Sequence, residues 1–176
     1  MKCVLVDTGD MFVRADQLCL ERGDVDLKPY RFVPQAMDSN DIAELLVACG
    51  TARRQDDTLL LEVLAEIQQK YKGQRSAHSD YQSDLKLVKH ILETLWENGE
   101  SNDGTTLLPV VTDIQGALSF RMANECTVAL ARNNRAVGAV NETYHFVLPD
   151  IDPKVAEGLG ALRMTERALT GVEDID

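Results

Sequence analysis

Basic residues never gather in this 176-residue chain: the densest group is Arg53-Arg54, and 18 Lys and Arg stand against 29 Asp and Glu, a formal net charge of -11. Polynucleotide binding needs clustered Lys and Arg to displace counterions from phosphates, so nucleic acid is not expected as a partner. Long apolar runs are missing too. No stretch approaches the roughly 20 consecutive apolar residues that span a bilayer, so no membrane insertion is expected. The four cysteines, Cys3, Cys19, Cys49 and Cys126, stand singly without a Cys-x-x-Cys pair. No basic start followed by an apolar run marks a secretory leader either, and a reducing, cytoplasmic setting is expected.

Catalytic signatures are equally scarce. His78, His90 and His145 lie far apart, with neither His-Glu-x-x-His nor Cys-x-x-Cys spacing to hold zinc. His78 precedes a helix start, His90 falls between the apolar positions of a helix, and His145 lies between the alternating Tyr144 and Phe146. No serine sits in a nucleophile elbow, and neither a P-loop nor a Gly-x-Gly-x-x-Gly fingerprint occurs. Cys126 follows Asn124-Glu125, with no cationic neighbour to lower its pKa, and reads as a small buried hydrophobe.

One loop has catalytic form. Leu5-Val-Asp-Thr-Gly9 resembles the active-site loop of retropepsin-type aspartic proteases, in which two Asp-Thr-Gly loops bring paired carboxylates together to share a proton and activate water. A single loop per chain would require a homodimer, and Asp10 stands where that family usually has a small residue. Long helices expected over residues 41–97 also clash with an almost entirely β protease. Asp and Gly are common turn residues, so a hairpin turn is the preferred reading and a homodimeric protease using Asp7 the alternative. No catalytic, cofactor-binding or metal-ligating residue is assigned, no cofactor is expected, and the chain is not expected to be an enzyme.

What the sequence does hold is enough apolar material, 44% of residues, to bury roughly 70% of the surface of the unfolded chain. Lys2-Cys-Val-Leu-Val6 and Met11-Phe-Val13 predict a hairpin around Asp7-Thr-Gly-Asp10, and Tyr30-Arg-Phe-Val-Pro34 predicts an extended segment. Asp41 stands three residues before Glu44 as in a capping box, Ile42, Leu45, Leu46 and Cys49 follow at helical spacing, and Gly50 predicts a left-handed stop. A second helix is predicted from Asp57 to Lys72 with the stripe Leu60, Val63, Leu64, Ile67 and Tyr71. A third is predicted from a capping box at Ser79 and Gln82, with Leu85, Val88, Ile91, Leu92, Leu95 and Trp96 on one face. The two stripes predict an antiparallel helical pair.

Beyond the polar link Glu100-Ser-Asn-Asp-Gly104 the early pattern returns. Leu107-Leu-Pro-Val-Val-Thr112 and a turn at Asp113-Ile-Gln-Gly116 predict a second hairpin, and Phe120-Arg-Met-Ala-Asn124 matches Phe12-Val-Arg-Ala-Asp16. Tyr144-His-Phe-Val-Leu-Pro149 matches Tyr30-Arg-Phe-Val-Pro34, Asp152 and Pro153 predict the cap and first position of a short helix, and Leu159-Gly-Ala-Leu-Arg163 matches Cys49-Gly-Thr-Ala-Arg53. The fold class expected is α+β: a duplicated unit of β-hairpin, extended segment and short helix, flanking an antiparallel two-helix pair. The divisions are 1–55 for the first αβ unit, 56–104 for the helical pair and linker, and 105–176 for the second αβ unit.

This order of segments resembles the C-terminal part of a sacsin internal repeat. The resemblance rests on Gly9-Asp-Met-Phe-Val13, Leu27-Lys-Pro-Tyr30, Gly50 with Arg53, Leu107-Leu-Pro109, Ala123-Asn-Glu125, Phe146-Val147 with Pro149 and Ile151, and Leu159-Gly160 with Arg163. It implies a segment lying after the GHKL-type ATPase-like domain of such a repeat, without a nucleotide site of its own. The function it implies is a non-catalytic interaction or scaffold module of a large cytosolic chaperone-like protein, with neighbouring repeat domains and client proteins as partners.

Overall fold

The computed structural model describes residues 4–5, 12–34, 40–99, 104–129 and 145–164. It is a mixed helix and strand fold, α+β, and the chain divides into two units, Met1–Ile67 and Gln68–Asp176. The boundary falls inside the helix Asp57–Tyr71 (α2).

In the first unit, β1 (Val4–Leu5) pairs antiparallel with β2 (Phe12–Val13), Val4 opposite Val13 and Leu5 opposite Phe12. A 3-10 turn, Ala15–Gln17, follows. It delivers Leu18 and Cys19 into extended backbone between two parallel neighbours: Cys19 donates to the Phe32 carbonyl at 2.9 Å and Ala52 donates to the Leu18 carbonyl at 3.1 Å. Between those neighbours runs α1 (Asn40–Ala48). Its end is a Schellman turn: Gly50 takes φ +96°, a left-handed conformation that glycine adopts without Cβ strain, while Thr51 donates to Leu46 and Gly50 to Val47, both at 3.0 Å. Val13, Leu18, Phe32 and Leu46 pack together as the apolar centre, with Leu20 against them.

The second unit contains α3 (Tyr81–Glu97), β3 (Leu107–Val110), β4 (Ser119–Met122), β5 (Cys126–Val128), β6 (His145–Phe146), α4 (Pro153–Gly158) and β7 (Leu162–Arg163). Strands β3 and β4 form the antiparallel hairpin, Leu107 opposite Met122 and Val110 opposite Ser119. A 3-10 turn at Ala123–Glu125 leads into β5, which lies between β6 and β7 and is parallel to both. The α4 helix is capped by the Asp152 carboxylate, which accepts from the Lys154 N–H at 2.8 Å, with Pro153 opening the helix as expected. It closes on Gly160 at φ +107°, with Ala161 donating to Ala156 at 3.0 Å and Gly160 to Glu157 at 3.1 Å.

The stripes of α2 and α3 behave as expected of amphipathic helices, whereas on that of α1 only Leu46 is buried. Leu60, Val63, Leu64, Ile67 and Tyr71 on α2 are buried, as are Leu85, Val88, Ile91, Leu92 and Leu95 on α3. Each such aliphatic side chain contributes about 2 kcal/mol relative to an exposed one. Three expectations are corrected. Asp41 lies inside the first turn of α1, not at its cap, where a carboxylate still suits the positive end of the helix. The cap of α3 is Asp80 rather than Ser79, and the box does not form, because the Ser79 hydroxyl donates to the Asp80 carboxylate and Lys70 holds that carboxylate too. Trp96 is 42% exposed, at the edge of the α3 stripe rather than within it.

Candidate functional site

A polar cluster around the buried Asp84 is built where the last turn of α2 meets the first turn of α3. Asp84 is only 1% exposed and sits on the apolar stripe of α3, four residues before Val88. Its Oδ2 accepts from the Tyr71 hydroxyl at 2.9 Å and from Lys70 Nζ at 2.7 Å. Lys70 also reaches Asp80 Oδ2 at 3.0 Å, and this hydrogen bond, followed by the one from Ser79, holds the Asp80 carboxyl below the ordinary aspartate value. The His78 ring lies 5.3 Å from the Tyr71 ring, and its Nδ1 accepts from the Asp80 N–H at 3.1 Å. Lys70 near the end of α2 thus ties together two carboxylates at the start of α3.

In the first unit the corresponding feature is Arg31, 7% exposed, whose guanidinium forks onto Glu66 at 2.7 and 3.1 Å with Glu62 at 3.6 Å. Burial works against its charge, but the hydrogen bonds it donates to Glu66 and the fields of Glu66 and Glu62 outweigh it, and its pKa is raised. The Nε of Arg31 is buried without a hydrogen-bond partner. Beside it opens a recess of about 250 Å³ lined by Cys19, Val25, Leu27, Phe32 and Gln55 among others. The Gln55 amide fills much of the wall, exchanging hydrogen bonds of 3.1 and 2.8 Å with the backbone of Val25.

The sequence candidates separate. Asp7 and the rest of its Asp-Thr-Gly loop lie outside the described residues, as do Cys3 and Tyr144. His78 joins the Lys70 and Asp84 cluster, His90 is exposed on α3, and His145 lies in β6, so the structure brings no two of them into one site. Among the described residues no group of three His, Cys, Asp or Glu is placed to hold a metal ion. Among those residues too, no helix is long and apolar enough to cross a membrane.

Cysteine chemistry follows burial. Cys126 is fully buried, its Sγ donates to the Met122 carbonyl at 3.2 Å, and burial with the nearby Glu125 charge pushes its pKa up to about 12. Burial, reinforced by Glu21 and Asp56 and opposed by the Glu21 carbonyl hydrogen bond and Arg31, also raises Cys19. Cys49 is exposed. Maleimide or disulfide-reagent labelling at pH 8 is therefore expected to modify Cys49 at once, and Cys19 and Cys126 only when urea opens their units, as followed by peptide mass mapping. Fast labelling of Cys126 in the folded chain would contradict the burial described.

Sequence reasoning missed Lys70, Asp84 and Arg31. A signal existed for Asp84, an acid standing on an apolar helical stripe. Arg31 carried a weaker one, a cation between Tyr30 and Phe32 in an extended segment. Comparison with protein-family models, with curated protein sequences and with solved structures finds no match to this chain.

Proposed function

We propose that the chain is a non-catalytic interaction or scaffold module, two copies of one αβ unit with helices between them, within a large cytosolic chaperone-like protein of the sacsin type. The observation that carries this reading is a recurring series of backbone hydrogen bonds. Each unit runs from hairpin through a 3-10 turn into extended backbone bridged to two parallel partners, with a helix between those partners in the chain ended by a Schellman turn: Thr51 to Leu46 in one, Ala161 to Ala156 in the other. The glycine, aromatic and proline landmarks that recur in the sequence are used to shape backbone and fill cores. The resemblance of the segment order to sacsin repeats supplies the parent protein, and neighbouring repeat domains and clients are the partners it implies. Singly buried thiols in each unit suit a reducing compartment.

Isothermal titration and a phosphate-release assay on the purified chain test this reading. Neither saturable ATP binding at micromolar concentration nor ATP turnover is expected, and either would overturn it. Cleavage of a peptide library at acidic pH that Asp7→Asn abolishes would replace it with the homodimeric aspartic protease reading.

A further inference from the structure

The first unit does not use every donor of its buried arginine. The two terminal nitrogens of Arg31 are taken, one by the Tyr30 carbonyl at 3.0 Å and Glu66 at 3.1 Å, the other by Glu66 at 2.7 Å. Nε finds no acceptor among the described residues, although the residue is only 7% exposed. A buried N–H without an acceptor costs free energy that a well-placed oxygen recovers. The extended segment itself does not require the cation: Tyr144-His-Phe-Val147 has the same pattern as Tyr30-Arg-Phe-Val33, with His145 in the corresponding place. Arg31 also lines the recess of about 250 Å³, together with the buried side chains of Cys19, Val25, Leu27 and Phe32. One wall is preformed, because Gln55 clasps the backbone of Val25 on both sides and packs so closely over Gly23 that a Cβ there would overlap the Gln55 amide.

We propose that this recess is a binding site for a neutral carbonyl group on a compact aliphatic body, the carbonyl oxygen accepting from Arg31 Nε. The body is set by the buried apolar lining. Its size is set by the volume: at about 30 Å³ per water-sized group, the recess holds roughly eight non-hydrogen atoms. Neutrality is set by charge. The guanidinium already faces Glu66 and Glu62, and Glu21, Asp24 and Asp26 on the recess wall outnumber Arg22 and Lys28, so an anion would enter a negative field. A carbonyl takes a charge-assisted hydrogen bond from Nε without that penalty. The site lies wholly within the first unit.

The probe is N-isobutylacetamide, titrated into the isotope-labelled full chain while heteronuclear NMR follows the arginine Nε–H signals. A saturable shift of the Arg31 signal is expected, with a Kd of about 1 mM or below, as ligands of this size reach. Isocaproate, an aliphatic body of the same size carrying a carboxylate, is expected to bind at least tenfold more weakly. Arg31→Lys keeps a cation for Glu66 and Glu62 but has no Nε–H, and Val33→Trp fills the recess from a half-buried wall position. Each is expected to weaken binding at least tenfold, read by saturation transfer to the amide. No saturable shift of the Arg31 signal at tens of millimolar amide overturns the proposal however the variants fold. Binding that Val33→Trp leaves intact, or isocaproate binding as tightly as the amide, overturns it too. The blocked tripeptide acetyl-Gly-Leu-Gly-amide separates the sources of the carbonyl: tenfold tighter binding than the amide assigns it to a polypeptide, and weaker binding to a free small molecule.

Discussion

Replacing Asp84 by alanine is expected to destabilise the second unit by about 3 to 5 kcal/mol, read as a lower urea midpoint at unchanged slope. The carboxylate is out of contact with water and accepts from both Lys70 Nζ and the Tyr71 hydroxyl. Deleting it takes a charge-assisted bond from a partly buried ammonium and from a buried phenol. Lys70 keeps its contact with Asp80, which holds the loss toward the lower end of the range. Asp84→Asn keeps an acceptor of the same shape and should cost roughly half as much. Replacing all three residues together, Lys70→Met, Tyr71→Phe and Asp84→Leu, removes donors and acceptor at once and should recover most of the loss. A cost below about 1 kcal/mol for Asp84→Ala, the range of an exposed ion pair, would show that the carboxylate is solvated after all.

Gly160→Ala is expected to cost about 3 kcal/mol, and Gly50→Ala about 1 kcal/mol, in parallel denaturation experiments. Both glycines hold a left-handed conformation at the end of a Schellman turn, at φ +107° and +96°, so both variants carry backbone strain. Only Gly160 is crowded. A Cβ there would stand 2.7 Å from the Cα of Gly104 and 3.1 Å from its nitrogen, backbone atoms that cannot swing aside, whereas a Cβ on Gly50 meets nothing nearer than Asp16 Cβ at 3.9 Å. Equal losses at the two positions would mean that the backbones of Gly160 and Gly104 do not approach as described.

Much of the architecture is readable in the residues because it is local. The stripes of α2 and α3 repeat over four turns, enough for helical periodicity to stand out against chance, and every residue named on the α2 stripe is buried. Asp152 followed by Pro153 identifies the start of α4 for an equally local reason, since cap and first position are set by neighbours in sequence. Strands β5 and β7 escaped because they have only three and two residues, whereas β6 falls within the segment 144–149 read as extended. An alternating pattern cannot declare itself over so short a span, and parallel partners lie well apart along the chain. Ser79 misled because a hydroxyl three residues before Gln82 looks like a capping box, yet in the folded unit that hydroxyl turns to the carboxylate that Lys70 also holds.

By itself the sequence determined which segments become helix, where glycine and proline end or begin them, and which faces of α2 and α3 turn inward. These depend on side-chain period and backbone preference within a few residues. Tertiary structure alone decided that the extended backbone after each 3-10 turn is held between parallel neighbours, that the Asp84 carboxylate on the stripe is paired with Lys70 and hydrogen-bonded by Tyr71, and that α4 lies against α3. Those outcomes depend on backbone donors and charges meeting across long stretches of chain, and their energies exist only once the packed unit has excluded the water between them.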